Sequence, residues 1–240
     1  MSVEVIVDIC DKEELTRETV DRLLRYAPGA YTITTIDNAS SDGIRDYLRQ
    51  LSDTGQVKLV RLEKRVGVAE AKNAAVFVSE GDILIIMDDD VWVESDAWYT
   101  DLLRVLEKNP QTGLVGPCGS VLGDLDGELT TWEPLGYENA PLFGVATPTG
   151  PSGLLVDVIP GMCVAVRREA ILGVGGYDLA FDPFVAQDAD LCIALKNRGW
   201  DIRLAMAHIT HAFGGENSHE IAEVLGEGKT VDPVSYTHLR

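Results

Sequence analysis

Three consecutive aspartates, Asp88, Asp89 and Asp90, follow directly on the apolar run "ILIIM" at residues 83–87. Adjacent carboxylates repel one another, and burial raises that cost. The end of a buried strand is therefore an unfavourable place for them unless something offsets the charge. Two explanations compete. One is an acidic loop solvated by water; the other is a hard divalent cation, with a phosphate-bearing ligand, held by carboxylate oxygens. A second acidic group, Asp188 and Asp190 in "AQDADLC", stands at the start of a run with helical spacing, where either residue suits the first turn.

The composition narrows the classes. The 240 residues are 45% hydrophobic and 25% charged, which describes a globular chain long enough for a sizeable core. A formal charge of −19 argues against a sequence-independent nucleic-acid binder, because nothing would offset phosphate repulsion. A phosphate-bearing ligand would have to be met by a bound cation or a local basic cluster. No apolar run approaches the ~20 residues of a membrane span, and "MSVEVIVDIC" lacks the basic segment of a signal peptide. A peripheral membrane contact stays open. Cys10, Cys118, Cys163 and Cys192 have no CxxC spacing and sit mostly in apolar surroundings, as buried reduced thiols do, which favours a cytoplasmic setting.

The elements that must position these aspartates follow from periodicity. "VEVIVDI", "YTITTI", "VKLVRL", the run before the triple aspartate and "GLVGPC" have strand patterns. Between them lie helical patterns, the first with a capping box at Asp11 and Glu14 and Leu15, Thr19, Leu23 and Tyr26 on one face. Ser40 or Ser41 suits the cap of the second, and Ser95 that of a helix running to about Lys108. Strand–helix alternation predicts a parallel sheet covered by helices on both faces. Residues 119–155 break the pattern with Gly, Pro, Thr and acidic residues; a helix over about 188–198 and a strand, "DIRLAMAHIT", follow. Ligands of open parallel sheets bind beyond the carboxyl ends of the strands, which lines up Asp11, Asp37, Asn38 and the triple aspartate along one edge. Residues 233–240 show no periodicity and resemble the translation of a vector junction, so they carry no fold reasoning.

Five segments occur in one order: "TIDNASSDGIRDYL", "VGVAEAKNAA", "ILIIMDDDV", "GVGGYD" and "FVAQDADLCIALKNRGW". Together they resemble the GT-A glycosyltransferases of the large family 2 type over residues 3–215. The resemblance implies a Rossmann-like, mostly parallel α/β sheet flanked by helices. Residues 1–118 would form a nucleotide-sugar-binding half and 119–215 a mixed acceptor-side half, with 216–240 as a tail. It implies metal-dependent transfer of a sugar from a nucleotide diphosphate donor to a carbohydrate or other hydroxyl acceptor, with Mn²⁺ or Mg²⁺ as cofactor.

Residue by residue, Asp37 or Asn38 would hydrogen-bond a base or ribose. Gly67 permits close backbone approach at a helix start. Lys72 either neutralises phosphate or holds an aspartate, or it is a surface lysine on a packed helix. Asp88 and Asp90 match the DxD element, Asp88 reaching ribose or metal-bound water and Asp90 the metal, with Asp89 beside the donor or only a solvated neighbour. Asp188 matches the catalytic base, against a helix N-cap as the bland reading, and Asp190 matches a second acid. His211, rather than His208, completes the metal site. Gln187 replaces the usual glutamate, and Asp8, Cys10 and Asp11 replace the more common Pro or Thr, Tyr and Asn of the first strand.

Two other classes fit parts of the chain. A haloacid-dehalogenase-like phosphohydrolase also follows an apolar strand with DxD, but that motif usually lies near the N-terminus with Thr or Val where Trp92 stands. A catalytically silent sugar-nucleotide-binding module would have no use for Asp188. Inversion is favoured over retention, because a base near the acceptor has a role only there.

Overall fold

The computed structural model describes residues 1–41, 43–122, 132–135, 152–182 and 186–212. The first half alternates as its periodicity predicts: β1 (Val3–Ile9), α1 (Glu13–Arg25), β2 (Thr32–Asp37), α2 (Ile44–Asp53), β3 (Lys58–Arg61), α3 (Val68–Val78) and β4 (Ile83–Asp88). Then come β5 (Val91–Val93), α4 (Thr100–Lys108), β6 (Thr112–Gly116), β7 (Gly119–Leu122), β8 (Trp132–Leu135), β9 (Cys163–Arg167), α5 (Arg168–Val174), α6 (Gln187–Asn197), β10 (Asp201–Leu204) and β11 (Ile209–His211).

Seven strands form one sheet in the order β10-β6-β9-β4-β1-β2-β3. All neighbours are parallel except β9, which runs antiparallel between β4 and β6. Strands buried on both faces read as near-continuous apolar runs, and alternate residues serve opposite layers. Val5, Val7 and Ile9 meet Val20 and Leu23 of α1, Leu48 of α2 and Leu102 of α4. Ile6, Leu84 and Ile86 face the other way, onto Ala69, Ala75 and Val76 of α3, Ile171 of α5 and Leu195 of α6. The small residues of α3 let that helix approach the sheet closely, which matters for the lysine it carries. No helix among the described residues is long and apolar enough to cross a membrane. Cys118, Cys163 and Cys192 are buried free thiols, and Cys10 is a half-buried one.

Several local expectations are corrected. The first three expected caps do not form: α1 follows Lys12 in a left-handed conformation, α2 follows Gly43 and α4 follows Tyr99, none with a side-chain cap. The capping candidates are engaged in tertiary bonds instead; Asp11 accepts from Ser41 N (2.8 Å), and Ser40 Oγ accepts from Asp11 N (3.0 Å). The single strand expected over "DIRLAMAHIT" is two strands in different sheets, β10 at the edge of the main sheet and β11 paired antiparallel with β5. β5 and β9 have no counterpart in the periodicity reading.

Candidate active site

The triple aspartate sits where β4 ends, beyond the carboxyl edge of the sheet. Asp88 faces α3, and its Oδ1 accepts from Lys72 Nζ at 3.2 Å. Three residues on, β5 begins and pairs with β11, so that His211 lies opposite Val91. That pairing brings His211 Nε2 to 3.1 Å from Asp90 Oδ1 and lets Ala212 N donate to the Asp90 carbonyl at 2.8 Å. One ligand atom from each of Asp88, Asp90 and His211 lies within 4.8 Å of the others. Two carboxylates and one imidazole make an open three-donor set, which fits a divalent cation that keeps positions for ligand oxygens. His208 is exposed and stands outside this cluster. His211→Ala is expected to weaken Mn²⁺ binding about 10-fold, with loss of one donor among three, as measured by calorimetry.

Asp89 belongs to a different environment, and its burial corrects the expectation of a solvated neighbour. Adjacent residues at a strand end point to opposite faces, so Asp89 turns toward α1. It is buried, accepts from Cys10 N at 3.3 Å and Thr16 Oγ1 at 3.4 Å, and its carbonyl accepts from Thr19 Oγ1 at 2.8 Å. Burial pushes its carboxyl up to about 7, against the pull of Lys12. Lys12 Nζ lies 3.8 Å from Asp89 Oδ1 and 3.7 Å from Asp90 Oδ2. Both Asp11 and Lys12 have positive φ, 59° and 54°, an unfavourable conformation for side-chain-bearing residues. Lys12 was not singled out by the sequence; its signal is only that it follows the unusual first loop.

Asp37 and Asn38 lie at the end of β2 on the same edge. Asp37 is fully buried, with Ser40 N donating to Oδ1 at 2.8 Å and Arg61 pairing with Oδ2. Asn38 clamps the backbone of one residue: Val66 N donates to Oδ1 at 2.9 Å, and Nδ2 donates to Val66 O at 3.0 Å. These side chains shape the loop ahead of α3. Gly67 ends that loop, and a Cβ there would collide with Asp182. Asp182 is a neighbour of this loop that sequence reasoning missed. Its carboxylate accepts from Ala69 N (2.8 Å) and Glu70 N (3.2 Å), capping α3 from 113 residues away in sequence. Asp182→Ala should cost about 1 kcal/mol, a fall of roughly 2–4 °C in thermal melting for a chain this size.

Lys72 is not a surface lysine: it is 2% exposed. Its ammonium lies 5.9 Å from the centroid of the Tyr177 ring, from the "GVGGYD" segment. Asp188, at the start of α6, reaches the same region. Its Oδ2 accepts from Gly161 N at 2.9 Å, and a Cβ at Gly161 would strike the carboxylate. Helix α6 itself follows Ala186 with no side-chain cap, so Asp188 does not cap it. Asp188 Oδ1 is buried without a hydrogen-bond partner among the described residues, as are Tyr177 Oη and Gln187 Oε1. Native interiors leave few such atoms unpaired. Burial raises the Asp188 carboxyl above the usual carboxylate range; Lys72 pulls it down and Asp88 pushes it further up. Asp190 is buried in the first turn of α6, its N–H donating to Ala186 O at 2.9 Å.

Comparison with known proteins places this geometry. The family described as "Glycosyl transferase family 2" matches residues 4–172. The probable glycosyltransferase YdaM of Bacillus subtilis is 26% identical over 214 residues, covering 87% of this chain and 50% of YdaM. The uncharacterized protein y4gI of Sinorhizobium fredii is 23% identical over 239 residues, covering 91% of this chain and 25% of y4gI. The chain thus spans a quarter and a half of the lengths of these two relatives. Among solved structures, the mannosyltransferase PcManGT from Pyrobaculum calidifontis, in complex with GDP-Man and Mn²⁺, superposes with a TM-score of 0.62 at 19% identity, covering 86% of this chain and 56% of that one. GalNAc-T7 with UDP, GalNAc and Mn²⁺ gives a TM-score of 0.67 at 17% identity, covering 88% and 43%. The mainly parallel sheet with its inserted antiparallel strand is the GT-A architecture of these neighbours. With the family pattern matched over most of its length, the chain belongs to glycosyl transferase family 2.

Proposed function

We propose that this chain is a metal-dependent glycosyltransferase that moves a sugar from a nucleotide diphosphate donor to a hydroxyl acceptor with inversion. The observation that carries the reading is the convergence of Asp88, Asp90 and His211 on one cation-sized cluster, beside a buried carboxylate, Asp188, that has an oxygen left unpaired. Residues 1–118 serve as the donor half and 119–215 as the acceptor half of one sheet-sharing unit, with 216–240 as a tail outside the described residues.

Asp88, Asp90 and His211 would hold Mn²⁺ or Mg²⁺, which as a Lewis acid stabilises the charge developing on a departing diphosphate. Lys72 supplies a buried positive charge on the same side. Asp188 accepts the proton of the acceptor hydroxyl as its oxygen bonds to the anomeric carbon and the bond from that carbon to the diphosphate oxygen breaks. Gly161 N fixes Oδ2, which leaves Oδ1 as the proton acceptor. Asp37, Asn38 and Gly67 shape the nucleotide edge through their hold on the loop before α3. PcManGT and GalNAc-T7, with GDP-Man or UDP and Mn²⁺ bound, support a donor of this class. A screen of UDP-, GDP- and dTDP-sugars for Mn²⁺-dependent thermal stabilisation tests the reading: at least one should raise the melting temperature with Mn²⁺ and not in chelator. A flat response to all of them would count against it.

A further inference from the structure

β1 and β4 are parallel neighbours, and Asp8 is the register partner of Asp88. Their side chains therefore emerge on one face about 4.8 Å apart at the backbone, the face that Ile6, Leu84 and Ile86 share with α3. Asp8 Oδ1 is buried with no hydrogen-bond partner among the described residues. Lys72 lies against this pair, hydrogen-bonded to Asp88 Oδ1 at 3.2 Å. Its charge interacts with Asp88 first, then with Asp188, Tyr177 and Asp8. One buried ammonium thus faces three carboxylates and hydrogen-bonds one.

Two demands fall on Asp88. The cation cluster needs its carboxylate, and so does Lys72. If Asp88 turns to a divalent cation, a buried ammonium is left beside added positive charge, and an unpaired buried charge is strongly unfavourable. Asp8 and Asp188 each carry a buried oxygen without a hydrogen-bond partner among the described residues; in the proposed function the Asp188 oxygen serves the acceptor, which leaves Asp8 for the lysine. We infer that Asp8 is a positioning residue that takes over Lys72 when Asp88 is recruited to the cation, so that the site binds metal without stranding its lysine. The inference rests on the reading of Asp88, Asp90 and His211 as the cation site.

A double-mutant cycle on the full chain tests it, with Mn²⁺ alone as the probe and calorimetry as the readout. The proteins are wild type, Asp8→Asn, Lys72→Met and the double variant. Asp8→Asn should weaken Mn²⁺ binding about tenfold in the wild-type background, and less than about twofold where Lys72→Met has removed the competitor for Asp88. Equal weakening in both backgrounds would make Asp8 merely one more negative charge and overturn the inference. So would an Asp8→Asn affinity equal to that of wild type. Should Lys72→Met fail to fold, Lys72→Gln, a neutral polar replacement, takes its place in the cycle with the same two outcomes. A wild-type protein that binds no Mn²⁺ would overturn the cation-site reading as well, whereas normal wild-type binding with an unaffected Asp8→Asn removes only the role of Asp8.

Discussion

Asp188→Asn is expected to lower turnover by ~10²–10⁴-fold, the usual contribution of a positioned general base. A sugar hydroxyl is a weak nucleophile, and the amide cannot accept its proton. The substitution keeps the size of the side chain and an oxygen for Gly161 N–H, so melting temperature and donor affinity should hardly change. A loss seen in turnover without a loss in donor binding is the signature of an interaction made in the transition state. Because burial raises the Asp188 carboxyl, activity should fall on the acid side at a pH above the ordinary carboxylate range. The sign follows from the protonated form being inactive. Lys72 opposes that rise, so Lys72→Met should move the acid limb to still higher pH. Initial rates across pH, with donor binding and melting on each variant, check these outcomes. Near-normal turnover in Asp188→Asn would remove the base assignment and favour a retaining or binding-only protein.

Asp90→Ala should weaken Mn²⁺ binding by roughly two orders of magnitude or more, since even partners that only orient a ligand are worth 10–100-fold. Asp90 is the residue on which His211, Lys12 and the β5–β11 ribbon converge. The fold should survive. Lys12 keeps its other carboxylate, Asp89, and repulsion between adjacent aspartates is relieved, so melting in chelator should shift by no more than about 4 °C, the scale of one kcal/mol in a chain this size. Calorimetry with Mn²⁺ and melting in chelator measure the two effects separately. A fall of many degrees without metal would make Asp90 a structural residue.

Much of this site is legible from strand ends. The apolar run into Asp88 places the cluster at the carboxyl edge, and the order of the motifs brings Lys72, Asp88 and Asp188 to one side. What escapes is whatever depends on alternation at a single step or on distant pairing. Asp88 and Asp89 are neighbours in sequence, yet one faces Lys72 and the other Thr16, because a one-residue step reverses the face. β9 enters the sheet antiparallel between β4 and β6, and no local pattern announces where a strand inserts. The expected caps failed for a related reason. Asp11 and Ser40 have the right chemistry for helix starts, but tertiary partners one loop away compete for the same lone pairs. Asp182 caps α3 from far along the chain, a role that only the folded structure reveals.

The most direct test of the account is calorimetry of UDP and GDP against the wild-type chain, with Mn²⁺ and in chelator. A chain of net charge −19 whose two nearest lysines are engaged by Asp88, Asp89 and Asp90 offers little to a diphosphate without a bound cation. The account predicts clear binding of at least one nucleotide with Mn²⁺ and little or none in EDTA. Equal affinity under both conditions would contradict it.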